Sequence, residues 1–201
     1  MPYKNKDKFL DQNGLYHAYN RGHNKMRVFL SQNDYNTFIY LFRKYLEPDF
    51  KIRATKIIAG VQFVEFREPN YLYKEVSVLA YCLMPNHFHL IIHQENRYGM
   101  TKLLSRVLSA YSRYFSQKYG LVGSIWDGTY KAVYIKNQEH LFSEISYVHA
   151  NPIAMRQNPY EYKYSSLGIY SGEPIEIPKW IKIENSYTKD DFDTYLDNKA
   201  G

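Results

Sequence analysis

Two histidines lie two residues apart near the middle of the chain, inside an apolar run. His87 and His89 open the segment HFHLIIH, whose β-branched and aromatic residues are typical of a strand. Because successive side chains of a strand point to opposite faces, the two imidazoles project the same way. Neutral imidazole is the commonest metal ligand, and two of them leave most of a cation's coordination sphere open. The pair therefore predicts a small catalytic metal site.

A tyrosine and an asparagine lie four residues apart further along the chain. Tyr147 and Asn151 share one face of a helix predicted over 138–150, which must end near Pro152. The amide oxygen of Asn151 can bind a hard cation such as Mg²⁺ or Mn²⁺ beside two imidazoles. A tyrosine next to such a cation can attack a phosphodiester if its hydroxyl, with an ordinary pKa of about 10, is activated. The sequence names no general base for that step.

Other histidines and tyrosines compete for these roles. His93 has the same strand parity as His89 and is an alternative ligand, whereas three further histidines are expected to be incidental: His17, His140 and His149. The chain has 22 tyrosines, so packing explains most of them. The rival nucleophiles all lie on another predicted helix: Tyr111, Tyr114 and Tyr119.

The elements around these residues follow a β-α-β-β-α-β-α order. Strands are predicted over 15–21, 76–83, 87–93 and 130–135; helices are predicted from Asp34 to before Pro48, over 101–119 and over 138–150. The first six elements match the split βαβ plan. We therefore expect an α+β, ferredoxin-like (βαββαβ) fold, an antiparallel sheet with helices on one face, plus an appended C-terminal helix that carries Tyr147.

One domain is expected over residues 1–170, followed by an extension over 171–201. A hairpin over 51–66 is predicted within an inserted segment, 51–75. The segment from Thr188 to Asp191 resembles a capping box that opens a short terminal helix. With 201 residues and one cysteine, the chain has no intramolecular disulfide. It also shows no targeting or membrane-spanning segment, which predicts a cytoplasmic protein.

The net charge of +6 favours an anionic partner, and nucleic acid is the commonest one for a basic domain. Three basic residues lie on the polar face of the 101–119 helix, opposite its apolar stripe. Together with two strand residues they are the candidates for DNA phosphate contacts: Arg21, Lys102, Arg106, Arg113 and Lys131. The same helix face can equally be an ordinary solvated surface.

Six collinear segments resemble the HUH single-tyrosine transposases, in particular the REP-associated tyrosine transposases, relatives of the insertion-sequence transposases. They are YHAYNRG (16–22), AYCLMPNHFHLII (80–92), SRYFSQKYG (112–120), GSIWDGTYKAVYI (123–135), YVHANP (147–152) and YKYSSLGIY (162–170). The resemblance implies a ferredoxin-like core, Mg²⁺ or Mn²⁺, and nicking of single-stranded DNA at hairpins through a 5′-phosphotyrosine intermediate. It also implies that His87 and His89 are metal ligands, Tyr147 the nucleophile and Asn151 the third ligand.

The chain departs from that family in two places. Thr129 stands where members commonly carry Arg, so a phosphate contact is missing or is taken over by Lys131. The 51–75 segment is longer than the usual link, and it can be an inert insertion, a species-specific hairpin or a DNA-reading element. The resemblance implies REP-like or insertion-sequence hairpin ends as substrate. The oligomeric state remains open: insertion-sequence relatives form dimers in which the tyrosine helix of one subunit completes the partner's histidine site, whereas REP-associated relatives can act as monomers.

Two other functions fit the residues. A ferredoxin-like sheet with aromatic and basic surfaces can bind single-stranded DNA or RNA by stacking, without catalysis. A metal site of two imidazoles can also serve a phosphodiesterase that uses activated water. A covalent protein–DNA adduct distinguishes both from a transposase.

Overall fold

The computed structural model describes residues 10–58, 61–170, 176–184 and 186–200. Four strands of this part form one sheet: β1 (Gly14–Arg21), β4 (Ser77–Met84), β5 (His87–Gln94) and β6 (Lys131–Ile135). Their order is β4-β5-β1-β6, and every neighbouring pair is antiparallel. Two further strands, β2 (Ile52–Ile58) and β3 (Val61–Arg67), pair only with each other. The antiparallel sheet of an α+β protein is confirmed, and the predicted hairpin is present.

The helices are α1 (Gln32–Leu46), α2 (Gly99–Tyr119), α3 (Gln138–Ala150) and α4 (Lys189–Ala200). Short 3₁₀ turns span His23–Lys25, Asn151–Met155 and Leu167–Tyr170. The predicted capping box of α4 is present, since Thr188 and Asp191 exchange hydrogen bonds. None of the helices in the described residues combines the length and the apolar character needed to cross a membrane.

Strand alternation divides the apolar residues of the sheet between two cores. Phe88, Leu90 and Ile92 of β5 face α1 and α2, which pack on each other over one side of the sheet. Ile91 of β5 and Cys82 of β4 belong to the second core, on the other side. That core also contains apolar residues of α3 and α4, namely Leu141, Ile145, Val148, Phe192 and Leu196. The appended helix therefore lies on the face opposite α1 and α2.

A buried carboxylate joins the two helices of the first face. Asp34 lies in the first turn of α1 and accepts hydrogen bonds from the side chains of Tyr114, Lys118 and Tyr119 on α2, at 2.7–2.9 Å. It also accepts the backbone N–H groups of Leu30 and Ser31, each at 2.8 Å. Burial raises the pKa of this carboxyl, but the donors outweigh it and hold the pKa well below its ordinary value. The helix starts two residues before Asp34, which caps it from inside the first turn rather than from the N-cap.

The helix α3 owes its position to its own sequence. Asn137 caps its N-terminus by accepting the backbone N–H of His140 at 2.8 Å. Leu141, Ile145 and Val148 recur at helical spacing and are all buried in the second core. The opposite edge of the same turns carries Tyr147, which is 47% exposed. The helix is therefore held flat on the sheet with its tyrosine at the border of the packed face.

Candidate active site

His87 and His89 lie at the start of β5 and face α3, as strand alternation predicts. Their ring centroids are 5.0 Å apart and the rings are nearly perpendicular. The neighbouring strand β1 places Arg21 opposite His87 and Tyr19 opposite His89. The Tyr19 ring stacks on His89 at 5.6 Å. At this end of the sheet the two imidazoles therefore lie next to an aromatic and a basic side chain of β1.

Tyr147 of α3 lies against His89, one member of this pair. Its ring centroid is 5.7 Å from that of His89, and the two rings meet edge to face. Both residues belong to the same chain. The structure therefore brings together the tyrosine and the histidines, which are 58 positions apart for the closer pair, without a second subunit.

Asn151 ends α3 and reaches the other histidine. Its side-chain nitrogen donates to the carbonyl oxygens of Tyr147, at 3.0 Å, and Val148, at 3.2 Å. Its side chain also hydrogen-bonds His87. Because the amide donors face the helix end, the bond to His87 uses the amide oxygen, which therefore points towards the imidazole pair. Asn151 thus joins His87, His89 and Tyr147 in one cluster.

Burial keeps both imidazoles of the pair uncharged. Burial lowers the pKa of His87, an effect that Arg21 reinforces and the hydrogen bond to Asn151 opposes. Burial, together with the neighbouring His17 and His87, lowers the pKa of His89 to about 2. Neutral rings keep one nitrogen lone pair each, which is the form that binds a metal.

The match to known proteins agrees with this geometry. Residues 61–151 match the family model described as "Transposase IS200 like", a span that includes all four clustered residues. This part of the chain is therefore similar to the IS200-like transposases. The fold of the chain is also similar to a solved structure, a REP-associated tyrosine transposase bound to a REP hairpin, with a TM-score of 0.55 and 12% identity. That similarity covers 92% of this chain and 95% of the other. No curated protein sequence matches the chain significantly.

The site contains two further residues, His17 and Glu144, that the sequence analysis did not place there. His17 of β1, expected to be incidental, is 5% exposed and lies beside His89, with Nε2 2.7 Å from Nδ1 of that ring. Its Nδ1 is 2.6 Å from a carboxylate oxygen of Glu144 on α3. Burial lowers the pKa of His17, and Glu144 opposes that effect. The strand parity that His17 shares with Tyr19 and Arg21 was the available signal, but it needed the pairing of β1 with β5.

The remaining histidines have separate partners. His140 contacts the second carboxylate oxygen of Glu144 at 3.3 Å. His149 is fully buried on the other side of α3, where Nε2 lies 2.8 Å from the Ser166 hydroxyl. His93 lies further along β5 and pairs with Glu95 at 3.3 Å. The structure therefore offers His17, not His93, as the third imidazole of the candidate site.

Two of the five basic candidates lie beside the site. Arg21 ends β1 opposite His87, and Lys131 pairs with Tyr19 in the sheet, with its ammonium 6.0 Å from the Tyr19 ring. The other three lie on α2, which covers the opposite face of the sheet. There Lys102 forms an ion pair with Glu75, the guanidinium of Arg106 donates to the backbone oxygen of Asn70 at 2.8 Å, and Arg113 is exposed.

The donor set fits a hard divalent cation that keeps several water ligands. Within the described residues, no group of three or more His, Cys, Asp or Glu side chains is arranged to hold a metal. The cluster instead offers two neutral imidazoles and one amide oxygen. The amide oxygen suits Mg²⁺ or Mn²⁺, and the two imidazoles leave the other positions open for the water and phosphate oxygens that these cations prefer.

Proposed function

We propose that this protein cleaves and rejoins single-stranded DNA, with Tyr147 as the nucleophile and His87, His89 and Asn151 as the ligands of Mg²⁺ or Mn²⁺. The main support for this proposal is the contact of Tyr147 with His89, whose ring centroids are 5.7 Å apart. The match of residues 61–151 to the IS200-like transposase family supports DNA cleavage and rejoining as the reaction class.

The reaction we propose is a transesterification. The Tyr147 hydroxyl oxygen attacks the scissile phosphorus, the bond to the 3′ oxygen breaks, and the DNA leaves a 5′-phosphotyrosine on the protein and a free 3′-hydroxyl. Tyr147 loses its proton as the bond forms, and the departing 3′ oxygen gains one. A later 3′-hydroxyl reverses the step and rejoins the strands. A bound divalent cation would neutralise charge on the phosphate and orient it.

The chain's own residues would hold the DNA for this step. Arg21 and Lys131 border the histidines and can pair with phosphates on either side of the scissile one. The exposed edge of Tyr147 leaves room for a strand to reach it. The proposed substrate is hairpin-bearing DNA of REP or insertion-sequence type, since the similar solved structure contains a REP hairpin.

The remaining parts of the proposal concern the whole chain. The order β4-β5-β1-β6 supports the ferredoxin-like plan, because it places the third core strand beside the first. We also propose a domain over 1–170 followed by the 171–201 extension, and action in the cytoplasm at the nucleoid. Residues 171–175 lie outside the described part of the chain.

A labelled hairpin oligonucleotide tests the reaction. Single-stranded DNA with a hairpin and Mn²⁺ is incubated with the protein and resolved under denaturing conditions. A 3′-end label should move with the protein and a 5′-end label should not, because the tyrosine retains the 5′-phosphate side. Tyr147→Phe should abolish the adduct, whereas Tyr134→Phe, at a similarly exposed tyrosine of the opposite sheet face, should retain it.

The other outcomes identify the competing functions. Cleavage without an adduct would indicate a phosphodiesterase that uses water. DNA binding with neither cleavage nor adduct would indicate a non-catalytic module. An adduct that persists in Tyr147→Phe would move the nucleophile to another tyrosine.

A further inference from the structure

A buried line of hydrogen bonds connects the tyrosine helix to one of the histidines. The Glu144 carboxylate on α3 lies 2.6 Å from Nδ1 of His17, and Nε2 of His17 lies 2.7 Å from Nδ1 of His89. The two rings are 5% and 7% exposed. The line crosses from α3 through β1 to β5, and its two imidazoles are shielded from water, whereas the Glu144 side chain at its end is 21% exposed.

The geometry allows only one proton arrangement if His89 binds a cation. A metal at Nε2 of His89 needs that lone pair, which places the proton of the ring on Nδ1. That proton can only be donated to Nε2 of His17, so the proton of His17 lies on Nδ1. The Glu144 carboxylate accepts it, because an ionised carboxylate offers acceptors alone. Each donor in the line then meets one acceptor.

We propose that His17 and Glu144 are positioning residues that hold His89 in the tautomer that presents Nε2 to the cation. The proposal rests on the proposed function, because it takes His89 to be a metal ligand. Metal-bound histidines commonly donate their second nitrogen to a partner that orients the ring, and loss of such a partner weakens metal binding. Here the partner is a second histidine, itself oriented by a carboxylate.

The same line joins the ligand to the nucleophile. Glu144 lies three residues before Tyr147 on α3, and the Tyr147 ring lies 5.8 Å from His17 and 5.7 Å from His89. The hydrogen bond from His17 to Glu144 therefore fixes the helix turn that carries Tyr147. His17 therefore sets both the orientation of the His89 ring and the position of Tyr147 relative to that ring.

Metal titration of the DNA-free protein tests the positioning role without measuring activity. We expect His17→Phe and Glu144→Leu to weaken Mn²⁺ binding by about tenfold or more. His17→Gln, whose amide oxygen can stand where Nε2 stands, should restore affinity to near that of the wild type. Glu139→Leu, on the exposed first turn of the same helix, is the matched control and should bind Mn²⁺ normally. Unchanged affinity in folded His17→Phe and Glu144→Leu would overturn the proposal.

A spectroscopic measurement on the wild type keeps the test independent of how the variants fold. Long-range ¹⁵N–¹H correlation spectra of the metal-free protein report which nitrogen of each histidine carries the proton. We expect protons on Nδ1 of both His17 and His89. A proton on Nε2 of His89 would overturn the proposal.

The two proposals fail in different ways. A Tyr147–DNA adduct together with the wrong tautomer of His89 would remove the positioning role and leave the transposase reaction. The expected tautomers and Mn²⁺ affinities in a protein that never forms an adduct would remove the reaction and leave the metal-binding arrangement.

Discussion

At the scale of single residues, the basic side chains divide between the two faces of the sheet. Arg21 and Lys131 flank the histidines. Lys102 and Arg106 lie on α2 and are held by partners in the segment before β4. Charge and helical spacing made all five basic residues candidates. Neither property reveals which face of the sheet a helix covers, so the sequence alone could not separate the two groups. Only the two strand residues keep the position that a phosphate contact at the site requires.

Arg21→Gln and Lys131→Gln should each weaken binding of single-stranded DNA. Each variant loses one phosphate contact, so the slope of log affinity against log salt concentration should become shallower by about 0.7. Fluorescence anisotropy of a labelled hairpin oligonucleotide across a salt series measures both effects. Lys102→Gln is the matched control, since its ammonium already pairs with Glu75 on the other face. Equal losses in Lys102→Gln and Lys131→Gln would contradict the assignment of the DNA-facing side.

At the scale of elements, α3 is locked to the sheet by a buried histidine. Nε2 of His149 lies 2.8 Å from the Ser166 hydroxyl, which also accepts the backbone N–H of Tyr81 on β4 at 2.9 Å. Complete burial lowers the pKa of His149 to about 3. The helix that carries Tyr147 therefore depends on a ring that must stay neutral.

This ring makes the stability of the protein depend on pH. In the unfolded chain the pKa of His149 is near 6.5. In the folded protein His149 takes up a proton only near pH 3, so below pH 6.5 the unfolded state binds more protons than the folded state. Its contribution is complete above about pH 6.5 and is lost as the pH falls towards 3. Between pH 7 and pH 5 the free energy of unfolding should fall by roughly 2 kcal/mol from this group.

Urea unfolding at pH 7 and pH 5 isolates the contribution. His149→Gln keeps a hydrogen-bonding group for Ser166 but cannot titrate, so it should lose roughly 2 kcal/mol less than the wild type over this interval. Other histidines contribute equally to both proteins, and the difference reports His149 alone. Identical losses in the two proteins would show that His149 does not carry this dependence.

At the scale of the whole molecule, the candidate site is complete within one chain. Tyr147 contacts His89, and Asn151 contacts His87, because α3 folds back over the sheet of its own chain. A dimer that exchanges tyrosine helices between subunits is the other arrangement that the family resemblance left open. The two arrangements differ in how inactive variants behave when they are mixed.

Mixing Tyr147→Phe with His89→Ala should not restore adduct formation. Each chain would still lack one half of its own site, so the yield should stay at the level of the separate variants. Random pairing in an exchanged dimer would instead restore roughly a quarter of wild-type yield. The hairpin-DNA adduct assay, run after co-refolding of the two variants, distinguishes these results.

How much of this architecture is readable from the sequence depends on the range of the interactions. Strand alternation places His87 and His89 on one face, and helical spacing places Tyr147 with Asn151, because both patterns are local. The membership of His17 and Glu144 in the site depends on β1 pairing with β5 and on α3 covering the same face. Those are long-range contacts, and no periodicity within either segment encodes them.

Cys82 has a practical consequence outside catalysis. It is the chain's only cysteine and lies fully buried under α3, where burial raises the pKa of its thiol above the usual value. Thiol-directed dyes react with accessible thiolates, so the native protein should take up little label. A cysteine introduced at exposed Gln62 of the β2–β3 hairpin would then be the single reactive position. A dye at that position would report, by fluorescence energy transfer, the distance between the β2–β3 hairpin and a labelled end of bound DNA.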